Sequence, residues 1–511
     1  MSRSRRFITN VVWNWIGVAV SLFTALILSR IMIRRLGPDG YGVWALSFAL
    51  VDYYWFFDFG FRSATVKYVA HYTATGEYDK VGEVISTSLI YATVVGAAIL
   101  AAILSSAGRI VSFFQVAPAL RGDFEVLIVL MAVSWGLGLV LGLAGESLEA
   151  VQRFDVTSRV GVVSTAVRAA GQATLLFLGY GLVPLAATTV ACQILAYTLN
   201  FIVFRRVFRH VPISFRRGSA STLRQLWSFG IHSFLITIST QFQMQAAPVL
   251  IGHFLPAAYA GFYNLPMRLV QYTAEFVGRI GTVTNATAAE LSAHGDAEAL
   301  RKLPVYTNRY CLALFAPLAL VFYVYGLPFF EFWVGPTVAP YSAAVLPILL
   351  TGYLVGVVGQ LSSAMTLLGT GRHQSYARGM VAEMLVGVAL LALLIPRYGI
   401  VGAAWVTAAL TILNRGLYLS YVASRDIGMS LARYLLSIYS GPLVSALPAA
   451  LLLLILKATV LPGRGFLQLA AAGAIATLAV YPVAFFICGE PRHRRLLYDA
   501  AARLFARIRF I

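Results

Sequence analysis

The sequence predicts an all-α polytopic membrane protein, from three observations: scarce charge, recurrent apolar runs and an internal duplication. Of the 511 residues, 59% are hydrophobic and only 12% charged, with a mean hydropathy of +0.79. A soluble domain carries about 25% charged residues, so a soluble chain of this length would have too little polar surface to cover its core. Apolar runs of about 20 residues recur from end to end, each long enough to cross a ~30 Å hydrocarbon layer. The stretch Leu36–Val81 returns 219 residues later as Leu255–Leu300 without a gap, with 11 of 46 positions identical. Gly42/Gly261, Leu46/Leu265, Tyr53/Tyr272 and Gly76/Gly295 are among the identities. Such self-similarity exposes the architecture of a long chain before any local reading does.

Apolar runs separated by charged or Gly/Pro breaks predict fourteen spans. Their limits are 8–33, 41–61, 83–107, 124–148, 158–178, 181–204, 226–251, 259–283, 304–326, 341–368, 376–396, 399–422, 434–457 and 465–488. The start, Ser2-Arg-Ser-Arg-Arg-Phe7, imitates a signal peptide, but no small-residue cleavage site follows, so it reads as a retained first span. The turn Leu36-Gly-Pro-Asp-Gly-Tyr-Gly-Val-Trp44 separates spans 1 and 2. Spans 1–6 pair with spans 7–12 as two parallel repeats, for which a site is expected between the halves. Spans 13 and 14 fall outside the repeat. The expected domains are an N-lobe (1–210), a basic cytoplasmic linker (211–225), a C-lobe (226–425), spans 13–14 (426–489) and a basic tail (490–511). In that tail, apolar residues recur at helical spacing opposite arginines, as in an amphipathic helix lying on an anionic leaflet.

The net charge of +19 first suggests nucleic acid, but its location points elsewhere. With both termini on the cytoplasmic side, the inner segments hold 26 of the 39 basic residues and the outer ones 8. That asymmetry is a topology signal, and no soluble domain exists to bind nucleic acid. The expected location is a bacterial cytoplasmic (inner) membrane. Cys192, Cys311 and Cys488 are widely spaced in or beside apolar runs and read as buried thiols. No metal spacing, Walker A pattern or nucleophile elbow appears, so neither enzyme, metal nor cofactor is expected.

Ionisable residues inside the membrane are costly, which makes each a functional candidate. In span 8, Arg268, Gln271, Glu275 and Arg279 are spaced by three, four and four and share one face beside Tyr272. The stripe is either an internally paired packing face or the wall of an aqueous cavity, with arginines available to an anionic head group. Span 2 carries Asp52 and Asp58, each a possible coupling site for a proton gradient if desolvated. Asp58 can alternatively pair with Arg62 one turn on. Arg30 and Arg34 of span 1 either snorkel or face the cavity mouth. Gln241, Gln243, Gln245 and Pro248 suggest a bent or unwound span 7. Arg168, Arg309, Glu383 and Arg415 are further single candidates, whereas Glu146 and Glu149 read as loop-solvated.

The Leu-Gly-Pro-Asp-Gly-Tyr-Gly-Val-Trp turn, Asp58-Phe-Gly60, Gly76-Glu-Tyr-Asp-Lys80 and Gln152-Arg-Phe154 together resemble the polysaccharide (O-antigen-type) flippases. These belong to the multidrug/oligosaccharidyl-lipid/polysaccharide exporter superfamily. The resemblance implies two six-helix lobes alternating access around a cavity. The implied substrate is a lipid-linked oligosaccharide on a polyprenyl diphosphate, with basic cavity residues binding diphosphate or acidic sugars. It also implies a monomer among membrane lipids, with a glycan polymerase or other assembly protein as possible partner. Other readings are a lipid II or multidrug exporter of the same superfamily, or a membrane glycosyl transferase or polymerase. The last normally needs a substantial outer loop, and the largest outer segment, 108–123, offers only Arg109, Arg121 and Asp123.

Overall fold

The computed structural model describes residues 3–370, 374–463, 465–490 and 494–495, and some helical residues, Asp52 and Arg279 among them, in backbone only. The amphipathic tail expected from residue 490 falls almost wholly outside the described residues. The described residues are predominantly helical, and nine helices among them are long and apolar enough to cross a membrane. The protein is therefore an all-α, multi-pass membrane protein.

The chain divides into two compact units, residues 1–264 with 384–403, and residues 265–383 with 404–511. The first unit begins with α1 (Arg3–Asp52), which contains expected span 1 and the first part of span 2, joined at Gly37, φ 74°. Glycine tolerates that left-handed angle and Pro38 then starts the next helical segment, the usual division of labour at such a junction. Next come α2 (Phe61–Thr75), α3 (Tyr78–Phe113), α4 (Arg121–Ala150), α5 (Phe154–Phe177), α6 (Leu182–Val207) and α7 (Ala220–Phe254). Here α3 packs on α4, α4 on α6, and α1 on α5.

Span 2 does not run to residue 61 as expected. Its α-helix ends at Asp52 and a 3-10 turn covers Tyr53–Asp58, followed by Phe59 and Gly60 at φ 45° and 75°. Two contacts account for the break. The Tyr91 hydroxyl donates to the Phe57 carbonyl at 2.7 Å, and a Cβ on Gly60 would lie 2.2 Å from the Gly230 carbonyl oxygen of α7. The backbones of α7 and this turn approach more closely than any side chain permits. Span 7, in contrast, stays α-helical through Gln241–Pro248, so the expected unwinding belongs to span 2 instead. The segment after Gly60, which reads as polar loop, forms α2, whose Phe61 stacks on Tyr91 at 3.6 Å. Outside the spans, the Glu77 carboxyl is held below its usual range by the Lys80 hydrogen bond first and the Thr75 hydroxyl second.

The duplication is visible in local structure. After α2, Gly76 (φ 78°) donates to Thr73 and Glu77 to Tyr72; after α8 (Ala257–Ala293), Gly295 (φ 70°) donates to Ser292 and Asp296 to Leu291. Each residue stands 219 positions from its counterpart, so both copies close with the same left-handed glycine cap. Within the first unit the duplicated glycines also meet. A Cβ on Gly42 would lie 2.2 Å from the Ala257 carbonyl oxygen, and one on Gly261 would lie 3.3 Å from Gly42 Cα.

The second unit holds the rest of α8, then α9 (Ala297–Val334), α10 (Ala339–Gly356) and α11 (Leu361–Gly369). It continues with parts of α12 (Gln374–Thr411), a π-helical turn at Ile412–Tyr418, α13 (Leu419–Asp426), α14 (Leu431–Thr459) and α15 (Phe466–Cys488). Expected span 10 is split between α10 and α11 by a 3-10 turn at Val358–Gln360. A buried network supports the split: Asn308 donates to Ser363 (2.8 Å), Ser363 to Gln360 (2.8 Å), Gln360 to Tyr439 (3.1 Å) and Tyr439 to the Val355 carbonyl (2.6 Å). In lipid a helix can be interrupted only where protein groups replace the lost backbone bonds. Because α14 and α15 pack along α9 and α14 supplies Tyr439, the two helices outside the repeat are part of this unit's core. The three cysteines are buried and free.

Candidate functional site

Along α8 the expected stripe keeps its order. Arg268 and Gln271 are half-buried and Glu275 is exposed; the Arg279 side chain is outside the described residues. Gln271 hydrogen-bonds the buried hydroxyl of Tyr353 on α10. That tyrosine lies beside a second set of charges that sequence spacing does not connect, Glu383 of α12 and Arg415 of the π-helical turn. The Glu383 and Arg415 side chains are 2% and 11% exposed, with Arg415 Nε 3.6 Å from Glu383 Oε2. Asn414 donates to the same oxygen at 2.6 Å. Gly379 makes this possible, since a Cβ there would lie 2.3 Å from the Asn414 side-chain oxygen. Consecutive residues of an α-helix point about 100° apart; the wider turn at 412–418 lets Asn414 and Arg415 serve one carboxylate. Such π-turns concentrate at functional positions. The only sequence signal was that both ions fall inside apolar runs.

The other expected residues lie in the first unit. On α1, Arg30 is half-buried and Arg34 exposed, while the neighbouring Arg35 stands 5.5 Å from the Phe177 ring. Asp52 ends α1, its side chain outside the described residues. Asp58 is half-buried, and its carboxylate accepts the Arg62 backbone N–H at 3.3 Å, securing the first turn of α2. The Arg62 guanidinium reaches across to α4, 3.7 Å from Glu146 Oε1 and 3.6 Å from Glu149 Oε2. These two glutamates are therefore not loop-solvated, as their position near a helix end suggested. They face α2, which sequence reading treated as loop, so no partner was visible for them.

Among the described residues, the long apolar helices and the ion pair buried between them define a multi-pass membrane protein. The chain belongs to the polysaccharide biosynthesis protein family, whose model matches residues 31–341. It is 24% identical over 403 residues to the "Putative O-antigen transporter" of Shigella flexneri, covering 78% of this chain and 93% of that one. Its fold is similar to that of the lipid II flippase MurJ in an inward closed conformation (TM-score 0.73, 11% identity, 94% of this chain and 98% of that one). It is also similar to an inward-facing multidrug resistance MATE transporter of the MOP superfamily (TM-score 0.68, 13% identity, 82% and 99%).

Proposed function

We propose that the protein flips a lipid-linked oligosaccharide, a glycan on a polyprenyl diphosphate, across the cytoplasmic membrane by alternating access during surface polysaccharide assembly. The observation that carries this reading is the family match over residues 31–341. The arginines of α8 support it, because a guanidinium held in lipid is a strong donor to a diphosphate. In this reading Arg268, Gln271, Glu275 and Arg279 bind the head group, and Arg30 and Arg34 are secondary candidates for the same role. The N-lobe spans 1–210 and the C-lobe 226–425, with spans 13–14 and the basic tail following. Both termini are cytoplasmic, as the 26-to-8 distribution of basic residues indicates. The carrier works as a monomer and hands its glycan to a polymerase or another assembly protein.

In proteoliposomes, Arg268→Ala and Arg279→Ala should each slow translocation of a lipid-linked glycan about tenfold or more, the loss of a charge-assisted hydrogen bond. Undiminished flipping by both variants would remove the arginines from the head-group site. Asp52 and Asp58 are the proposed coupling residues. Asp52→Asn should make the translocation rate indifferent to an imposed proton gradient, measured with and without an ionophore. A gradient response equal to the wild type's excludes Asp52.

A further inference from the structure

Within the first unit, one face of α4 opposes one face of α6 across a cavity of about 330 Å³. The α4 face repeats at helical spacing as Trp135, Gly138, Gly142, Gly145 and Glu149, with Glu146 beside it. The α6 face presents Gln193, Tyr197 and Asn200. Three glycines on α4 remove the side chains that would fill this space. A leucine at Gly142, for instance, would project among Tyr197 and Glu146, whose atoms lie 3.9 Å from a Cβ built there.

Size, charge and hydrogen-bonding demand together define the occupant. The volume lies at the lower end of small-molecule pockets, about 300–1,000 Å³, and is roughly ten times the ~30 Å³ share of one water. It suits a ring-sized ligand and is far too large for a bare ion. Three carboxylates (Asp58, Glu146, Glu149) stand against the single guanidinium of Arg62 on the lining, which disfavours a phosphate or another anion. Glu146 uses Oε1 for Arg62, but no described residue donates to its Oε2, which is buried. The buried Asn200 Oδ1 lacks a donor among the described residues in the same way. Two buried acceptors on one cavity call for a ligand that donates hydrogen bonds. The rings of Trp135 and Tyr197 add flat apolar surface. A pyranose has these properties at once: a neutral or cationic ring with O–H or N–H donors at its edge and C–H groups on its faces.

We propose that the cavity between α4 and α6 is a glycan subsite that holds one neutral or amino sugar ring, with Glu146 and Asn200 accepting from its donors. The proposal rests on the reading of the chain as a glycan carrier. It separates recognition of sugar, on α4 and α6, from recognition of the diphosphate by arginines on α8.

The test uses the full chain in lipid nanodiscs and saturation-transfer NMR with the methyl glycosides of glucose, glucosamine and N-acetylglucosamine. At least one should bind saturably to the wild type. Gly142→Leu, which fills the cavity, should abolish that signal, and Glu146→Gln, which keeps the volume, should weaken it about tenfold. If Gly142→Leu does not elute as a folded species, Glu146→Gln decides. Equal binding by the wild type and the Gln variant, or no saturable binding of any glycoside, overturns the subsite. So does a titration in which sodium chloride, and no sugar, responds to Glu146→Gln, since the cavity is then a cation site. Translocation of a lipid-linked glycan, assayed in parallel, keeps the two readings apart. Sugar binding without wild-type translocation sinks the carrier and keeps the subsite, whereas translocation without sugar binding does the reverse.

Discussion

Gly42→Ala should prevent the first unit from packing, with a loss of about 3 kcal/mol or more, the upper range for forcing a methyl into a filled site. The added Cβ would stand 2.2 Å from the Ala257 carbonyl oxygen and 2.6 Å from the Ala258 nitrogen. Backbone cannot rotate away as a side-chain end can, so two helices must separate. The expected readout is loss of the monodisperse peak in size exclusion and of a cooperative thermal transition. Gly76→Ala supplies the control. That glycine sits at φ 78° with open space around its Cα, so alanine there should cost only the left-handed backbone penalty of about 1–2 kcal/mol. Equal melting temperatures for the two variants would show that the α1–α8 contact does not limit stability.

Arg415→Met should cost about 3–5 kcal/mol, because it leaves the Glu383 carboxylate buried without its cation. The double variant Arg415→Met/Glu383→Gln should recover most of that loss. Removing both charges also removes the desolvation penalty, and Asn414 can still hydrogen-bond a glutamine at the same place. The comparison is a thermal melt of wild type, both singles and the double in one detergent. A double variant no more stable than Arg415→Met would show that the arginine acts by packing rather than by compensating the carboxylate. Because Gln271 reaches this pair through Tyr353, the single variant should also report on the α8 stripe. Its translocation rate should fall together with its stability, and the double variant should restore both.

Much of the site's framework was legible beforehand, for local reasons. The stripe on α8 follows from spacing alone, since residues three and four apart share a helix face in any fold. Gly42 and Gly261 were marked by their identity across 219 residues, and the structure shows the cause: the Ala257 backbone passes too close to Gly42 for a side chain, and the Tyr41 ring and Gly42 crowd Gly261. What sequence reading missed has one form. Span 2 breaks at Asp52–Gly60 although its hydropathy runs on, because α7 crosses at Gly230. Glu146 and Glu149 looked solvated because their partner Arg62 lies more than eighty residues away, on a helix that reads as loop.

The sequence by itself determined that the solvent is lipid, that the secondary structure is helical, and that a stretch of the chain recurs 219 residues later. Each of these is a property of composition or periodicity, which survives without knowing what touches what. Tertiary structure alone decided that Glu383, Asn414 and Arg415 meet under Tyr353, that α14 completes the network around Asn308, and that α4 and α6 leave a polar cavity between them. Buried charges must find partners in lipid, but the identity of the partner depends on which helix faces pack together. That choice is made by close contacts, such as the glycines at 42, 60 and 379, rather than by the pattern along the chain.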